Sequence, residues 1–409
     1  MMSVAPEGKT GVLTGKEIVL GVSGGIAAYK ACEIVRDIRK EGGNVRVVMT
    51  ASAAQFITPL TLQTLSANPV VTDLFNLISE SEIGHISLAQ RADLVLVAPA
   101  TANIIGKYRN GIADDMLSTV LMATAAPVLM APAMNSQMYA SPAVRENIEA
   151  LRARGVHFVD PGAGELACGT FGPGRLADPA RIVEMARILL SPKPLAGKRV
   201  VVSAGPTVEA ADPVRFLSNR SSGKMGYAMA RVARRLGASV TLVSGPVALP
   251  EPFFVETVRV ESASGMLEAV RAASELADVV VMAAAVADFR PADPASGKIK
   301  KESFPGTLPL SPTVDILAEL GKEKGSRVLV GFAAETDDLE GNAVLKLRRK
   351  NLDAIVANDV SRGDIGFGAD ENEVKLFLAD GSVSAIGKAG KEAVAGSIFD
   401  ILAAKGVIA

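Results

Sequence analysis

Short unbroken apolar runs, each closed by a turn and followed by a helical repeat, set the pattern of this chain. Glu17 to Val22 is one such run and reads as a buried strand. Ser23-Gly24-Gly25 turns the chain, and Ala27, Ala31, Ile34 and Ile38 then recur along one helix face. Gly42-Gly43 ends that helix, and Val45 to Met49 supplies a second strand, completing a β-α-β unit. Asp93 to Ala98 and Pro127 to Met130 predict further parallel strands, because strands covered on both faces are apolar throughout.

The stretch from Ser191 to Gly197, rich in Pro and Gly, reads as a linker. Beyond it the pattern restarts. Lys198 to Ser203 is a strand, a long loop leads to Ser221-Ser222-Gly223-Lys224, and a helix follows with Met225, Met229, Val232 and Leu236 on one face, closed by Gly237. Val240 to Val243 is the next strand, and the run Ala277 to Met282 echoes Ala92 to Val97. The predicted fold class is α/β: two doubly wound, Rossmann-like domains with mainly parallel sheets, spanning residues 1–190 and 191–409. A chain of 409 residues, 49 % of them hydrophobic, can fill two such cores.

Charge narrows the partners. Lys and Arg total 43 and Asp and Glu total 44, which gives no electrostatic reason to expect nucleic acid or a membrane surface. Trp is absent and aromatic residues are 4 %, so base-stacking platforms are not expected. The only cysteines, Cys32 and Cys168, make no disulfide framework and suit a reducing, cytoplasmic setting. No signal peptide and no bilayer-spanning run is expected.

Each half places a strand, a Gly-containing loop and a helix N-terminus in order, an arrangement suited to phosphate. No G-x-G-x-x-G occurs, and the second strand of each half ends in Thr50 or Ser244 where a nicotinamide dinucleotide site needs an acid for the ribose. A dehydrogenase is therefore disfavoured, and Thr50 and Ser52 suit a phosphate or a flavin mononucleotide better. Gly223-Lys224 is not a Walker A loop, since Ser218 stands where the first Gly belongs. Gly21-Val-Ser-Gly-Gly25 matches the nucleophile elbow G-x-S-x-G, but it lies on the first strand with nothing before it to supply an oxyanion loop.

Several residues could carry chemistry, each with an ordinary structural reading beside it. His85 is a structural imidazole or a general base. Asn135, after a strand, is a turn residue or a carboxylate-holding amide. Cys168, in the Gly-rich segment Gly162 to Gly174, is a small hydrophobe or a proton-donating thiol on a flap, whereas Cys32 reads as helix packing. The basic runs Lys298 to Lys301 and Lys346 to Lys350 are solvated faces or neutralise a triphosphate. Asn219 is a cap or a donor to phosphate. The Cys and His positions give no recognisable metal spacing.

Taken together, the motifs resemble those of the bifunctional phosphopantothenoylcysteine decarboxylase/phosphopantothenate–cysteine ligases of coenzyme A biosynthesis, from about Lys16 onward. The resemblance rests on Gly21 to Lys30, His85-Ile86, Ala100-Thr-Ala-Asn103, Pro132-Ala-Met-Asn135 and Leu166-Ala-Cys-Gly169 in the first half. In the second it rests on Ser203 to Thr207, Asp212-Pro-Val-Arg215, Ser218 to Gly226, Ala283 to Asp288, Lys298 to Lys301 and Gly331 to Thr336. It implies a flavodoxin-like FMN domain followed by a ligase domain. Ser23, Gly24, Gly25, Thr50, Ser52, Thr101, Ala102, Asn103, Ile104 and Ala133 would bind FMN. His85 would be the base, Asn135 would orient the substrate carboxylate and Cys168 would donate a proton. Asp288, Lys298, Val314, Asp315, Ile316, Leu317, Phe332, Lys346 and Lys350 would contact CTP, with Asn219 and Lys298 serving the acyl-cytidylate steps.

The implied reactions join 4'-phosphopantothenate and cysteine at the expense of CTP, with Mg2+, whose protein ligands the motifs do not name, and then decarboxylate 4'-phosphopantothenoylcysteine. Flavoproteins of this type first oxidise the cysteinyl side chain, which gives the carboxylate's electrons somewhere to go. The implied assembly is a homo-oligomer, a dodecamer built from trimers and dimers. Tyr139, Gln90 and Leu176 depart from the usual pattern and bear on pocket shape. The alternative is a non-catalytic flavoprotein regulatory subunit, which the presence of His85, Asn135, Cys168 and a complete second half disfavours.

Overall fold

The computed structural model describes residues 11–74, 84–165, 169, 171–301, 306–335, 338–359 and 368–408. The chain divides into two compact units, Met1–Ser191 and Pro192–Ala409.

The first unit is built on β1 (Glu17–Val22), β2 (Asn44–Met49), β3 (Leu94–Ala100), β4 (Val128–Pro132) and β5 (His157–Phe158). These strands are all parallel, in the order β2-β1-β3-β4-β5. That is the flavodoxin-like order, with its switch point between β1 and β3. All seven residues of β3 are buried. Each large apolar side chain so buried is worth about 1.5–3 kcal/mol, against about 1–2 kcal/mol per residue of backbone ordering, so central strands of this composition fix the sheet. Helices α1 (Ala31–Lys40), α2 (Pro59–Ser66), α3 (Gly84–Arg91), α4 (Ala102–Asn110), α5 (Met116–Ala123), α6 (Ser136–Ala140), α7 (Pro142–Ala153) and α8 (Pro179–Leu190) cover it. Val19, Val95 and Val97 pack on one face with Leu117 and Val120 of α5, while α1 packs against α8.

Two local readings are corrected. The turn after Gly25 is a 3-10 helix, Ile26–Lys30, before α1 begins. Its tighter winding puts Ala28, not Ala27, in the core. The Gly-rich segment read as a loop contains an antiparallel pair, β6 (Gly162–Glu165) with β7 (Phe171–Arg175). The Cys168 position lies outside the described residues.

The second unit contains β8 (Arg199–Ala204), β9 (Val208–Ala210), β10 (Phe216–Ser218), β11 (Ser239–Ser244), β12 (Glu256–Arg259), β13 (Val279–Met282), β14 (Phe289–Pro291), β15 (Leu310–Pro312), β16 (Val328–Glu335), β17 (Ala354–Asp359), β18 (Glu371–Leu378) and β19 (Val383–Gly390). Its helices are α9 (Lys224–Arg235), α10 (Ala263–Ser274), α11 (Ile316–Lys322), α12 (Leu339–Arg349) and α13 (Lys391–Ala404). The main sheet runs β12-β11-β8-β13-β16-β17-β18-β19. Its first six strands are parallel and reproduce the dinucleotide-fold order 3-2-1-4-5-6, and β18 and β19 add an antiparallel edge. One face packs α9 and α13, the other α10, α11 and α12. At the end of β11, where a nicotinamide fold carries its acid, Ser244 is fully buried. It shares a hydrogen bond with the Tyr227 hydroxyl at 3.0 Å and donates to the Gly245 carbonyl at 2.9 Å.

Candidate active sites

In the first unit the carboxyl ends of β1, β3 and β4 open onto a cavity of about 1040 Å³. Ser23, Gly24, Gly25, Thr50, Ser52, Thr101, Ala102, Asn103, Ile104 and Ala133 all line it, and so does Asn135. The turns are tied to one another. The buried Ser23 hydroxyl donates to the Pro99 carbonyl at 2.8 Å, bonds the Thr101 hydroxyl at 3.0 Å and accepts from the Thr101 N–H at 3.0 Å. A hydroxyl so engaged is a brace and not an exposed nucleophile, which disposes of the elbow reading. Gly24 lies so close to the next turn that a Cβ there would meet the Ser52 Cβ at 2.3 Å. The rim is thus mostly backbone and small side chains, which suits close approach of a phosphate or a flat ring.

Asn135 lies in the turn after β4 and caps α6, its Oδ1 accepting from the Gln137 N–H at 2.8 Å. That bond fixes the amide's orientation and makes its other end the N–H2 donor, the polarity a carboxylate needs. The β6–β7 pair is docked on the same turn. The Met134 N–H donates to the Gly174 carbonyl at 3.0 Å. Gly174 has φ +136°, and a Cβ there would meet the Met134 carbonyl oxygen at 2.2 Å. The substituted Leu176 is buried and also lines the cavity.

His85 is not among the cavity residues. It stands in the first turn of α3, and its Nδ1 is buried with no hydrogen-bond partner among the described residues. Conversely, Lys107 and Asp115 line the cavity without having been singled out from the sequence. Lys107 pairs with Asp114 at 2.6 Å and Asp115 at 2.7 Å. Burial opposes its charge, but hydrogen bonds to the two carboxylates outweigh that and raise its pKa. The signal was available, since Lys107 follows Asn103 by four residues on one helix face.

In the second unit a cavity of about 590 Å³ lies beyond the carboxyl ends of β13 and β16. Asn219, Asp288, Val314, Asp315, Ile316, Leu317, Phe332, Lys346 and Lys350 line it. Asn219 donates through Nδ2 to the Ala285 and Val286 carbonyls, at 3.2 and 3.0 Å, pinning its loop to the turn after β13. Lys350 bonds Asp315, the N-cap of α11, at 2.8 Å. Burial pushes the Asp315 carboxyl up, but Lys350 and the Ala318 N–H more than reverse this and hold it below the usual carboxylate range. Lys298 is exposed and is not among the lining residues. Its neighbour Ile299 is held by buried Asp212, which accepts the Ile299 N–H at 3.1 Å.

Lys224, Asn372 and Lys391 also line this cavity. Lys391 comes from the far end of the chain with no local motif, so only the tertiary fold could find it. Among the described residues no group of three or more His, Cys, Asp and Glu side chains could hold a metal ion, and no helix is long and apolar enough to cross a membrane.

The Flavoprotein family model matches residues 8–190, and the model for the DNA/pantothenate metabolism flavoprotein C-terminal domain matches residues 195–405. The chain is 52 % identical over 374 residues to the coenzyme A biosynthesis bifunctional protein CoaBC of Bacillus subtilis (strain 168), which covers 90 % of this chain and 92 % of that relative. It belongs to the bifunctional coenzyme A biosynthesis protein family. The CoaBC relative of Escherichia coli (strain K12) is 50 % identical over 374 residues, again 90 % of this chain and 92 % of the relative. Among solved structures, the C-terminal domain of a CoaBC protein is 46 % identical and covers 52 % of this chain and 97 % of its own, with a TM-score of 0.45. A PPC decarboxylase mutant complexed with pantothenoylaminoethenethiol is 29 % identical and covers 42 % of this chain and 97 % of its own, with a TM-score of 0.38. Both halves match CoaBC proteins, so the chain is a bifunctional enzyme of coenzyme A biosynthesis, and the non-catalytic subunit is not favoured.

Proposed function

We propose that the first unit decarboxylates 4'-phosphopantothenoylcysteine with FMN in the β1–β3–β4 cavity, and that the second joins 4'-phosphopantothenate to cysteine using CTP. The observation that carries the reading is the gathering of the flavin-nominated residues and Asn135 on one cavity at a sheet switch point. FMN fits that rim of backbone and small side chains, with Gly24 leaving room that a Cβ would fill.

When bound, FMN supplies a hydride acceptor and donor. The chain's own residues do the rest. The Ser23–Thr101 brace holds the rim turns together. The Asn135 amide orients the substrate carboxylate, and the capping bond to Gln137 prevents it from turning over. His85 is proposed as the base and Cys168 as the proton donor to the decarboxylated carbon, both on the strength of the family motifs. Leu176 and Met134 help exclude water from the cavity.

In the second unit a carboxylate must be activated before an amine attacks it. Asp288, Val314 to Leu317, Phe332, Lys346 and Lys350 are proposed to hold the nucleotide, with Asn219 and Lys298 serving formation and consumption of the acyl-cytidylate. With no cluster of carboxylates among the described residues to cage it, Mg2+ is proposed to arrive on the triphosphate, its usual mode with nucleotides. A cytoplasmic homo-oligomer built from trimers and dimers completes the proposal. Exposed Ile26, Tyr29, Phe56 and Leu60 in the first unit and Val214, Phe216 and Phe289 in the second support self-association.

The deciding experiment is an absorption spectrum of the purified chain, followed by assays of pyrophosphate release. A yellow protein that yields FMN on heating, and releases pyrophosphate over many turnovers only with CTP, 4'-phosphopantothenate and cysteine together, is expected. A colourless protein, or multiple-turnover release independent of cysteine, would reject the assignment.

A further inference from the structure

The two residues assigned to the acyl-cytidylate steps, Asn219 and Lys298, are linked through one β-hairpin. Its strands, β9 and β10, pair antiparallel, and Asn219 is the residue after β10. The base of the hairpin is anchored to the rest of the unit. The Val208 N–H donates to the Glu261 carbonyl at 2.8 Å, and buried Glu209 accepts the N–H of Ala263, the first residue of α10, at 2.8 Å. The tip of the hairpin reaches the segment that carries Lys298. The Ala295 N–H donates to the Ala211 carbonyl at 2.9 Å. Asp212, whose side chain has no exposed surface, divides its two oxygens between two tasks. Oδ1 accepts the Val214 and Arg215 N–H groups, both at 2.8 Å, and closes the hairpin turn. Oδ2 accepts the Ile299 N–H at 3.1 Å and pairs with the Arg215 guanidinium at 2.9 Å. That guanidinium donates in turn to the Ile299 carbonyl. Asp212 and Arg215 thus hold both backbone polar groups of Ile299.

Lys298 is exposed and its charge rides on a flexible four-carbon stem, so the backbone anchor beside it decides where the ammonium group can reach. We propose that Asp212 is a positioning residue for the acyl-cytidylate chemistry: by fastening Ile299 to the hairpin that leads into Asn219, it fixes Lys298 relative to Asn219. This rests on the ligase reading above. Asn219 is held by its own bonds to the Ala285 and Val286 carbonyls, so the hairpin is a frame with one of the two residues at each end. Asp212 is not among the residues lining the nucleotide cavity, and it acts through Lys298. An amide at position 212 cannot do both tasks. With its oxygen kept on the turn N–H groups, its N–H2 faces the Ile299 N–H and the Arg215 guanidinium, donor against donor. Asp212→Asn therefore opens the fastening and leaves the turn closed.

The test compares the full-length chain with its Asp212→Asn and Ile299→Pro variants and with the double variant. Proline at position 299 removes the donated N–H without touching the buried carboxylate. Each single variant should slow pyrophosphate release at saturating substrates about tenfold or more, while KM for CTP stays within about twofold. The double variant should be slower than the slower single one by no more than about twofold, because both changes break the same bond. Independent folding defects would multiply instead, and multiplied losses would overturn the proposal. So would a wild-type rate in Asp212→Asn, or a KM for CTP that rises as the rate falls. If Asp212→Asn does not fold, Ile299→Pro decides alone: a slowed rate with unchanged CTP affinity in calorimetry supports the proposal, and an unchanged rate overturns it. Limited digestion with trypsin needs no turnover. Cleavage after Lys298, read by fragment mass, should be about tenfold faster in Asp212→Asn than in wild type, and equal cleavage would overturn the fastening. If the wild-type chain releases no pyrophosphate the ligase reading fails, and the digestion still decides whether Asp212 fixes Lys298.

Discussion

The Gly174 carbonyl accepts the N–H of Met134 at 3.0 Å, joining the β6–β7 pair to the turn that carries Asn135. The contact also brings Gly172 against Ser136, where a Cβ would meet the Ser136 Oγ at 2.7 Å. Asn135 thus sits between two residues that the pair clamps. Gly174→Ala would place a methyl group 2.2 Å from the Met134 carbonyl oxygen and disfavour φ +136°. With a strain of about 1–3 kcal/mol, decarboxylation kcat/KM should fall about ten- to a hundredfold. Bound flavin should remain, and so should ligation. Unimpaired decarboxylation would show that the pair does not position Asn135.

Gly24 makes the other close approach. In Gly24→Ala the new Cβ would press on the Ser52 Cβ at 2.3 Å and the Ser52 carbonyl carbon at 2.8 Å. Neither is the end of a flexible chain, so the β1 and β2 turns must separate. Overpacking of about 1–3 kcal/mol predicts a flavin content or affinity reduced about tenfold or more, read from the absorbance of the purified protein. Ligation should change by less than about twofold, because both turns belong to the first unit. A fully yellow variant would refute the prediction.

The two activities should separate by mutation. Cys168→Ser should abolish formation of 4'-phosphopantetheine, by removing the proton donor that acts once carbon dioxide has left, and leave ligation intact. Asn219→Asp and Lys298→Gln should do the reverse. Asn219→Asp also replaces the donor to the Ala285 and Val286 carbonyls with a carboxylate, which those oxygens repel. Parallel assays of 4'-phosphopantetheine formation and pyrophosphate release decide the matter, and equal loss of both activities in any one variant would argue against independent sites.

Asp115 makes the first unit's stability depend on acid. Burial pushes its carboxyl up, but hydrogen bonds from Lys107 and Ser118 prevail and hold it below the ordinary range. A folded-state pKa that lies lower stabilises the fold fully above the ordinary carboxylate pKa of about 3.9. The contribution is lost as pH falls through the folded value. Asp115→Asn keeps a capping side chain but removes the charge. In urea unfolding followed by flavin fluorescence, wild type should exceed Asp115→Asn at about pH 7, and the gap should narrow as pH falls below the ordinary carboxylate range. A gap that does not depend on pH would assign the stabilisation to the cap alone.

The sheet cores were legible because they are written as continuous apolar runs. Glu17 to Val22 begins and ends where the pattern places it, and Val45 to Met49 gains only Asn44. Ala27 was misplaced because helical spacing assumes an α turn where the chain winds more tightly. The β6–β7 pair was missed because its alternation is buried in glycines, which carry no side-chain pattern. The cavity residues near each Gly turn were legible because the helix that follows a strand must start at the sheet's carboxyl edge. Lys107 could have been found from its i+4 spacing to Asn103 on α4, but Lys391 could not, since its place depends on a helix that returns from the chain's far end.

Strand order alone would class the second unit with the nicotinamide-binding proteins. The Ser244–Tyr227 bond removes that option from within, because the position that would greet a ribose is turned inward and spent on a phenol. Replacing Ser244 with an acid would not create such a pocket. It would strand a negative charge in a dry interior, at a cost of several kcal/mol. Evolution from this sheet toward hydride-transfer chemistry would first have to reopen the helix–strand packing, which makes an identical strand order a poor guide to descent in chemistry.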